Sequence, residues 1–122
     1  MEELHQMYKD KGVEFFVVYS REPHAGERKY FRKYSQHTSY AHKLRYAQEL
    51  VREFSMKVPV LVDDLEESVA KAFGWMPNMV YVIDKEGKIA YKASWTDQPR
   101  VDKVLDGLLA EQAGKETAAA KA

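Results

Sequence analysis

The sequence predicts an α/β fold in which a partly parallel sheet is flanked by helices and ends in a β-hairpin. Short segments of β-branched and aromatic residues alternate with amphipathic segments of helical period, an order typical of parallel strands joined through helices. The last two strand-like segments are separated only by Lys85-Glu86-Gly87, and a glycine turn of this length indicates an antiparallel pair. The alternation therefore predicts the parallel part of the sheet, and the hairpin adds an antiparallel edge.

The chain opens with a predicted helix and a predicted strand. Residues 2–11 place Leu4, Met7 and Tyr8 on one helical face, and Gly12 follows as the residue that ends the helix. Residues 13–20 (VEFFVVYS) are aromatic and β-branched, and both faces of this strand are largely apolar. That pattern is typical of a strand that is covered on both sides within an α/β sheet.

A long polar connection and a helix come next. Residues 21–38 are polar with turn chemistry, and a connection of this length is usually functional or partly mobile. Residues 39–54 carry apolar side chains at spacings of three and four, which predicts an amphipathic helix. Either Thr38 or Ser39 is suited to cap its N-terminus.

Four further elements complete the predicted fold in the order strand, helix, hairpin and helix. They cover 58–62, 64–73, the strand pair 79–84 and 88–91, and a helix that opens at Thr96 or Asp97. The spacing of Asp64 and Glu67 predicts a capping box at the start of the short helix, which ends at Gly74. The domain is assigned to residues 1–112.

Residues 113–122 are small and polar, and we expect them to form a disordered or tag-like tail. The segment 115–121 (KETAAAK) also matches the start of pancreatic ribonuclease, which is the source of a common peptide tag. No function is assigned to this segment.

Composition excludes several classes of function. The chain has 122 residues, no cysteine and a formal net charge of zero. Disulfides, cysteine-ligated zinc and thiolate nucleophiles are therefore excluded, and bulk charge gives no argument for nucleic acid or an anionic membrane. The polar N-terminus has neither a secretory nor a transit pattern, so we expect a cytoplasmic location. No motif for a cofactor is found.

Three segments resemble the thioredoxin-like redoxins, and the iodothyronine deiodinase branch in particular. They are 13–26 (VEFFVVYSREPHAG), 36–50 (QHTSYAHKLRYAQEL) and 58–95, which holds a Val-Asp step, an Ala-Phe-Gly helix end and the Tyr-Val-Ile strand. The likeness covers roughly residues 2–110, and the order of these motifs is more specific than any one of them. It implies a thioredoxin-like fold that lacks the family's N-terminal strand and its cysteine or selenocysteine turn.

The resemblance also implies a candidate site. Glu22 and His24 match the family's Glu-x-His segment, and His37 matches its Gln-His step; these three are the candidate catalytic residues. Histidine titrates near neutral pH, which suits acid–base work, and Glu22 is placed to orient an imidazole. The alternative is a pair of exposed loop histidines without a function.

Trp75, Met76 and Pro77 are the candidate substrate-binding residues, because thioredoxin-like folds often have a cis-proline beside the active site at this place. An ordinary turn proline and a core tryptophan are the alternatives. Two weaker hypotheses concern a metal site and a nucleic-acid surface, and neither is adopted. The first would use His24, His37, His42, Asp63 and Asp64, and the second the bases and aromatics of 28–34.

The missing strand leads to a prediction about assembly. In a thioredoxin fold that strand lies between the equivalents of 13–20 and 79–83, so its loss leaves two apolar strand edges unpaired. Three arrangements would cover these edges: the two strands pair directly, a second copy of the chain completes the sheet, or the chain is part of a longer protein. Of these we expect the second, a homodimer. Two functions follow: a redoxin-like or deiodinase-like oxidoreductase relative without thiol redox activity of its own, or a non-catalytic homodimeric module that binds a small molecule.

Overall fold

The computed structural model describes residues 1–20, 39–75 and 78–121 and has a mixed α/β architecture. These residues form a small parallel sheet, an antiparallel hairpin and four α-helices. The elements are α1 (Glu2–Tyr8), a 3-10 turn (Lys9–Lys11), β1 (Val17–Tyr19), α2 (Tyr40–Phe54), β2 (Val60–Val62), α3 (Ser68–Phe73), β3 (Val80–Ile83), β4 (Ile89–Ala93) and α4 (Gln98–Lys121). The chain divides into two compact units, Met1–Trp75 and Met76–Ala122.

The first helix ends as the sequence predicts. Gly12 adopts a left-handed conformation with φ of +79°, which a residue with a side chain rarely adopts. Leu4 and Tyr8 are four residues apart on α1 and both are buried. Met7, which the sequence placed on the same face, lies at the margin of that stripe and is exposed.

A carboxylate joins α1 to the segment before β2. The Glu2 carboxylate accepts hydrogen bonds from the backbone N–H groups of Lys57 and Val58, each with an N···O distance of 3.0 Å. The hydrogen bond from Val58 lowers the pKa of Glu2, because it favours the ionised carboxylate. This long-range contact fixes the start of the chain in the first unit.

The first unit contains the parallel part of the fold. Val17 pairs with Val60 and Tyr19 with Val62, and the backbone N–H of Val17 donates to the Pro59 carbonyl at 3.0 Å. In the described part of the chain β1 pairs with β2 alone. The α/β class with a parallel pair is therefore confirmed.

The two faces of β1 differ, although the sequence predicted that both would be covered. Phe15 and Tyr19 are buried on one face. Phe16 is 56% exposed and Val18 is 42% exposed on the other. Successive side chains of a strand alternate between the two faces, so this exposure is confined to one face of the parallel pair.

The N-terminal cap of α2 is confirmed. Ser39 has an extended backbone, and its hydroxyl accepts a hydrogen bond from the His42 N–H at 3.1 Å. The buried stripe of α2 is rotated from the predicted one, because Lys43 and Ala47 are its buried residues. Leu44, one of the apolar residues at spacings of three and four, is partly exposed.

The helix α3 begins one turn later than predicted. It starts at Ser68, and Glu67 precedes it in a left-handed conformation with φ of +59°. The predicted capping box of Asp64 and Glu67 is therefore wrong. The physical reason is that the Asp64 carboxylate bonds to Ser68 instead, and its neighbour Asp63 bonds further into the helix.

The second unit begins with the predicted hairpin. The backbone N–H of Asp84 donates to the Lys88 carbonyl at 2.8 Å, and Gly87 takes the positive φ, +81°, that the turn requires. The Asp84 carboxylate also accepts from the N–H groups of Glu86 and Lys88, which closes the turn locally. The hairpin prediction is confirmed.

The last helix is longer than the sequence suggested. It continues through 113–121, where we expected a disordered tail. Alanine, lysine, glutamate and glutamine favour helices, and pairs four residues apart add to this: Lys115 Nζ lies 3.8 Å from Glu111 Oε1, and Gln112 bonds to Glu116 at 3.1 Å. Among the described residues, no helix is long and apolar enough to cross a membrane.

Candidate functional site

Most of the predicted site lies outside the described residues. This applies to Glu22, His24, His37 and the pair 76–77. Trp75 is described; it is the last residue of the first unit, and 51% of its surface is exposed. The prediction that it lines a cleft with Met76 and Pro77 stays a prediction.

The structure does describe both ends of the histidine-bearing segment. Ser20 is the residue after β1 and precedes position 21, and Ser39 caps α2 and follows position 38. The carboxyl ends of parallel strands meet at one edge of a sheet, so Ser20 and Asp63, which follow β1 and β2, lie together. The Ser20 hydroxyl donates to Asp63 Oδ2 at 2.7 Å.

Asp63 is the centre of this edge. It is only 3% exposed, and its two oxygens accept four hydrogen bonds. The donors are the Ser20 hydroxyl and the backbone N–H groups of Asp64 at 2.9 Å, Val69 at 3.0 Å and Ala70 at 3.1 Å. A carboxylate has about four acceptor sites, so its capacity is used.

The charge of Asp63 is stabilised by these donors. Burial raises the pKa of Asp63, but the hydrogen bonds from Val69, Ser20 and Ala70 lower it, and the net direction is downward. The carboxylate is therefore ionised at neutral pH and fully engaged. It serves as a structural acceptor and is not available as a general base.

Asp64 caps the same helix from outside. Its carboxylate accepts from the Ser68 N–H at 2.9 Å and from the Ser68 hydroxyl at 2.6 Å. The Ser68 hydroxyl is the largest influence that lowers the pKa of Asp64, whereas the neighbouring charge of Asp63 raises it and that of Lys43 lowers it. Both aspartates thus satisfy N–H groups at the start of α3.

Lys43 brings α2 to the same corner. Its side chain is only 1% exposed, and its Nζ donates to the carbonyl oxygen of Asp64 at 2.9 Å. The end of β1, the first turn of α2 and the start of α3 therefore meet at one edge. We call these residues the carboxyl-edge cluster: Ser20, Lys43, Asp63, Asp64 and Ser68.

Sequence reasoning missed most of this cluster. Asp63 and Asp64 were considered only as metal ligands or a cap, and Ser20, Lys43 and Ser68 were not singled out. One pattern points to Lys43: it lies four residues before Ala47, on the stripe that the structure buries. The other pattern is the pair Asp63 and Asp64 directly after the apolar strand β2. This position adjoins the start of the next helix, where carboxylates can accept from free N–H groups.

The chemistry that the cluster itself offers is limited. The Ser20 hydroxyl donates to Asp63, and none of the described residues places an imidazole on that hydroxyl to activate it as a nucleophile. No group of three or more His, Asp or Glu side chains in 1–20, 39–75 and 78–121 is arranged to hold a metal ion. His42 packs edge-on against Tyr46, with ring centroids 4.3 Å apart.

A mostly apolar groove lies beside the cluster on the first unit. Leu44 and Val51 of α2 and Val60 and Val62 of β2 line it. The groove is formed where α2 crosses β2, and Gln48 and Arg52 are the polar side chains among the described residues that line it. It therefore suits an apolar group.

No protein family, no curated protein and no solved structure matches this chain. The mixed α/β architecture rests on the geometry of the described residues. Because one fold can serve many chemistries, function is argued from the carboxyl edge and from the residues that flank it.

Proposed function

We propose that this chain is a thioredoxin-like domain similar to the deiodinase branch of the redoxins, and that its acid–base residues are Glu22, His24 and His37. The observation that supports the proposal is the anchoring of both ends of segment 21–38. Ser20 is held to Asp63, and the turn of α2 that Ser39 caps is held to Asp64 through Lys43. Ligands of open α/β sheets bind outside the carboxyl ends of the strands, which is this edge.

The chemistry proposed for the segment is proton transfer. An unperturbed histidine has a pKa near 6.5, so it exchanges protons at physiological pH, and a glutamate can orient the imidazole. The chain has no cysteine, so it supplies no thiolate. Thiol redox activity is therefore not expected from this chain alone, and a redox thiol would have to be supplied by another molecule.

The proposal is tested by asking whether the two histidines share one site. We would measure the pKa of His37 by NMR in the unaltered protein and in His24→Gln. Two imidazoles about 6 Å apart at a surface lower each other's pKa by roughly half a unit, because a positive charge on one disfavours protonation of the other. We expect the pKa of His37 to rise in His24→Gln, because a neighbouring positive charge has been removed.

His42→Gln is the matched control, since it removes the imidazole of a described helix residue. It should leave the pKa of His37 less changed than His24→Gln does. If His24→Gln leaves the pKa of His37 unchanged, the two histidines do not form an acid–base pair and the proposal fails. A functional assay follows: any turnover with an added thiol should be lost in His24→Ala and in His37→Ala, with stability nearly unaltered.

The second candidate is a non-catalytic homodimeric binding module, and one observation favours it. Phe16 and Val18 expose apolar surface on one face of β1, and Leu61, which pairs with Val18 on β2, is half-exposed on the same face. Parallel sheets usually have both faces covered. A second copy of the chain is the proposed cover, and a small molecule near Trp75 is the proposed ligand.

Sedimentation equilibrium tests the dimer. Val18→Lys should shift the protein towards monomer, because it places a charge on the apolar face, whereas Val18→Thr keeps the shape of the side chain and should change the equilibrium less. A monomer at all concentrations in the unaltered protein would rule out this candidate. The cytoplasmic location stays a prediction from composition.

A further inference from the structure

Lys43 is an unusual residue for a buried position on a helix. Lysine is rarely buried completely, because an ammonium group loses strong hydration when it leaves water. Lys43 is nevertheless only 1% exposed, and within the described ranges 1–20, 39–75 and 78–121 its Nζ has one hydrogen-bond acceptor, the Asp64 carbonyl oxygen at 2.9 Å. An apolar residue would fill this position of the buried stripe without the loss of hydration. The presence of a charged side chain here therefore calls for a physical explanation.

The charges of the Asp63–Asp64 corner explain part of the burial of Lys43. Asp63 and Asp64 are adjacent carboxylates, and the charge of Asp63 opposes ionisation of Asp64. The ammonium of Lys43 acts on Asp64 in the opposite direction. The lysine therefore supplies a positive charge that favours the ionised form of Asp64, one of the two carboxylates that bond to the start of α3.

The position of Lys43 in the first turn of α2 explains the remainder, because it links the helix cap to the Asp63–Asp64 corner. Its backbone N–H donates to the Ser39 carbonyl at 3.1 Å, so Lys43 and the capping residue belong to the same first turn of α2. The hydrogen bond from its Nζ joins that turn to the residue after Asp63, and Asp63 in turn holds Ser20.

We infer that Lys43 is a positioning residue, whose buried ammonium clamps the first turn of α2 to the Asp63–Asp64 corner and so holds Ser39 at the edge where β1 ends. The inference rests on the proposed function, because the placement of Ser39 matters only if the segment between Ser20 and Ser39 carries the site. Lys43 is assigned a positioning role because, among the described residues, it acts through the cap at Ser39 and the corner at Asp64.

The test uses two substitutions and one matched control. Lys43→Met keeps the length and the apolar stem but removes the charge and the donors. Lys43→Arg keeps both the charge and the donors. Arg45→Met removes one positive charge from the exposed side of the same helix and leaves the clamp intact. All three are compared with the unaltered protein by amide hydrogen exchange and by carboxyl titration in NMR.

We expect the His42 N–H, which bonds to Ser39, to exchange roughly tenfold faster in Lys43→Met, since a hydrogen bond from a charged group has been lost. The pKa of Asp64 should rise in the same variant. Lys43→Arg should restore both values, and Arg45→Met should leave the exchange of the His42 N–H unchanged. A side chain that only fills space would be replaced by methionine without either effect.

Unchanged exchange at His42 in a folded Lys43→Met overturns the inference. If Lys43→Met does not fold, Lys43→Arg decides: a folded arginine variant with normal protection of His42 supports the clamp, and one that has lost this protection overturns it. These measurements require no turnover and no histidine titration. Failure here is therefore distinct from failure of the His24–His37 pair, which is read from the pKa of His37.

Discussion

Replacing Asp63 should destabilise the first unit more than any other change to the carboxyl-edge cluster. In Asp63→Ala four donors lose their acceptor: the Ser20 hydroxyl and the N–H groups of Asp64, Val69 and Ala70. The bond to Ala70 is buried, and an unsatisfied buried N–H costs about 1–3 kcal/mol. The other three are partly buried and are worth about 0.5–1.5 kcal/mol each, so the total loss is about 2.5–7.5 kcal/mol.

Asp63→Asn separates the contribution of charge and geometry. The amide oxygen can still accept from Asp64 and Val69, and the Ser20 hydroxyl can turn to accept from the amide nitrogen. The Ala70 N–H then faces another donor, so the expected loss is about 1–3 kcal/mol. The free energy of unfolding is therefore expected to be highest in the unaltered protein, lower in Asp63→Asn and lowest in Asp63→Ala.

The measurement is urea unfolding followed by NMR at the Ala47 amide of the first unit, with Asp64→Ala as the control. Asp64 is exposed, and among the described residues its carboxylate bonds only to Ser68, so loss of that carboxylate should cost about 0.5–1 kcal/mol, as for an ordinary cap. A typical domain is stable by about 5–15 kcal/mol, so the difference between the two alanine variants is large enough to resolve. If Asp63→Ala costs no more than Asp64→Ala, Asp63 is not the centre of the cluster.

Three further predictions concern acid, a cap and a turn. Although burial raises the pKa of Asp63, its hydrogen bonds hold it below the ordinary value of 3.8, so its stabilisation is present above that pH and is lost as the pH falls through the lower folded value. Urea midpoints measured between pH 2 and 6 should therefore fall at the acid end, and less so in Asp63→Asn. Ser39→Ala should cost about 1 kcal/mol in thermal unfolding, because the His42 N–H loses its cap; an unchanged melting temperature would contradict this role. Gly12→Ala should cost about 1 kcal/mol in urea unfolding through its φ of +79°, with no clash, since no atom lies within 4 Å of the added carbon; Gly107→Ala, in a helix, is the control and should not destabilise.

Features that depend on neighbours in the sequence were predictable. Gly12 ends the first helix, Ser39 caps the second, and the turn at Gly87 joins two antiparallel strands. Each of these depends on residues no more than a few positions apart, so a local pattern contains the necessary information. The α/β class followed from the same patterns, because the order of the elements restricts the topology.

Features that depend on distant residues were not predictable. Ser20 and Asp63 are 43 positions apart, and Lys43 and Asp64 are 21 positions apart. The capping box at Asp64 matched a local pattern, but the adjacent Asp63 reached the N–H groups of Val69 and Ala70, and the helix began later. Here the tertiary contacts of Asp63 overrode a capping pattern that was read from neighbouring residues alone.

The carboxyl-edge cluster is polar, and two of its members, Lys43 and Asp63, are buried. Both carboxylate oxygens of Asp63 accept hydrogen bonds, which stabilise its charge, so the cluster contributes rigidity rather than reactivity. Rigidity at this edge is useful only if something attached there needs a fixed position. The chain attached to Ser20 and Ser39 carries two of the four histidines of the protein, His24 and His37. The search for chemistry should therefore begin with those two imidazoles and treat Lys43 and Asp63 as their support.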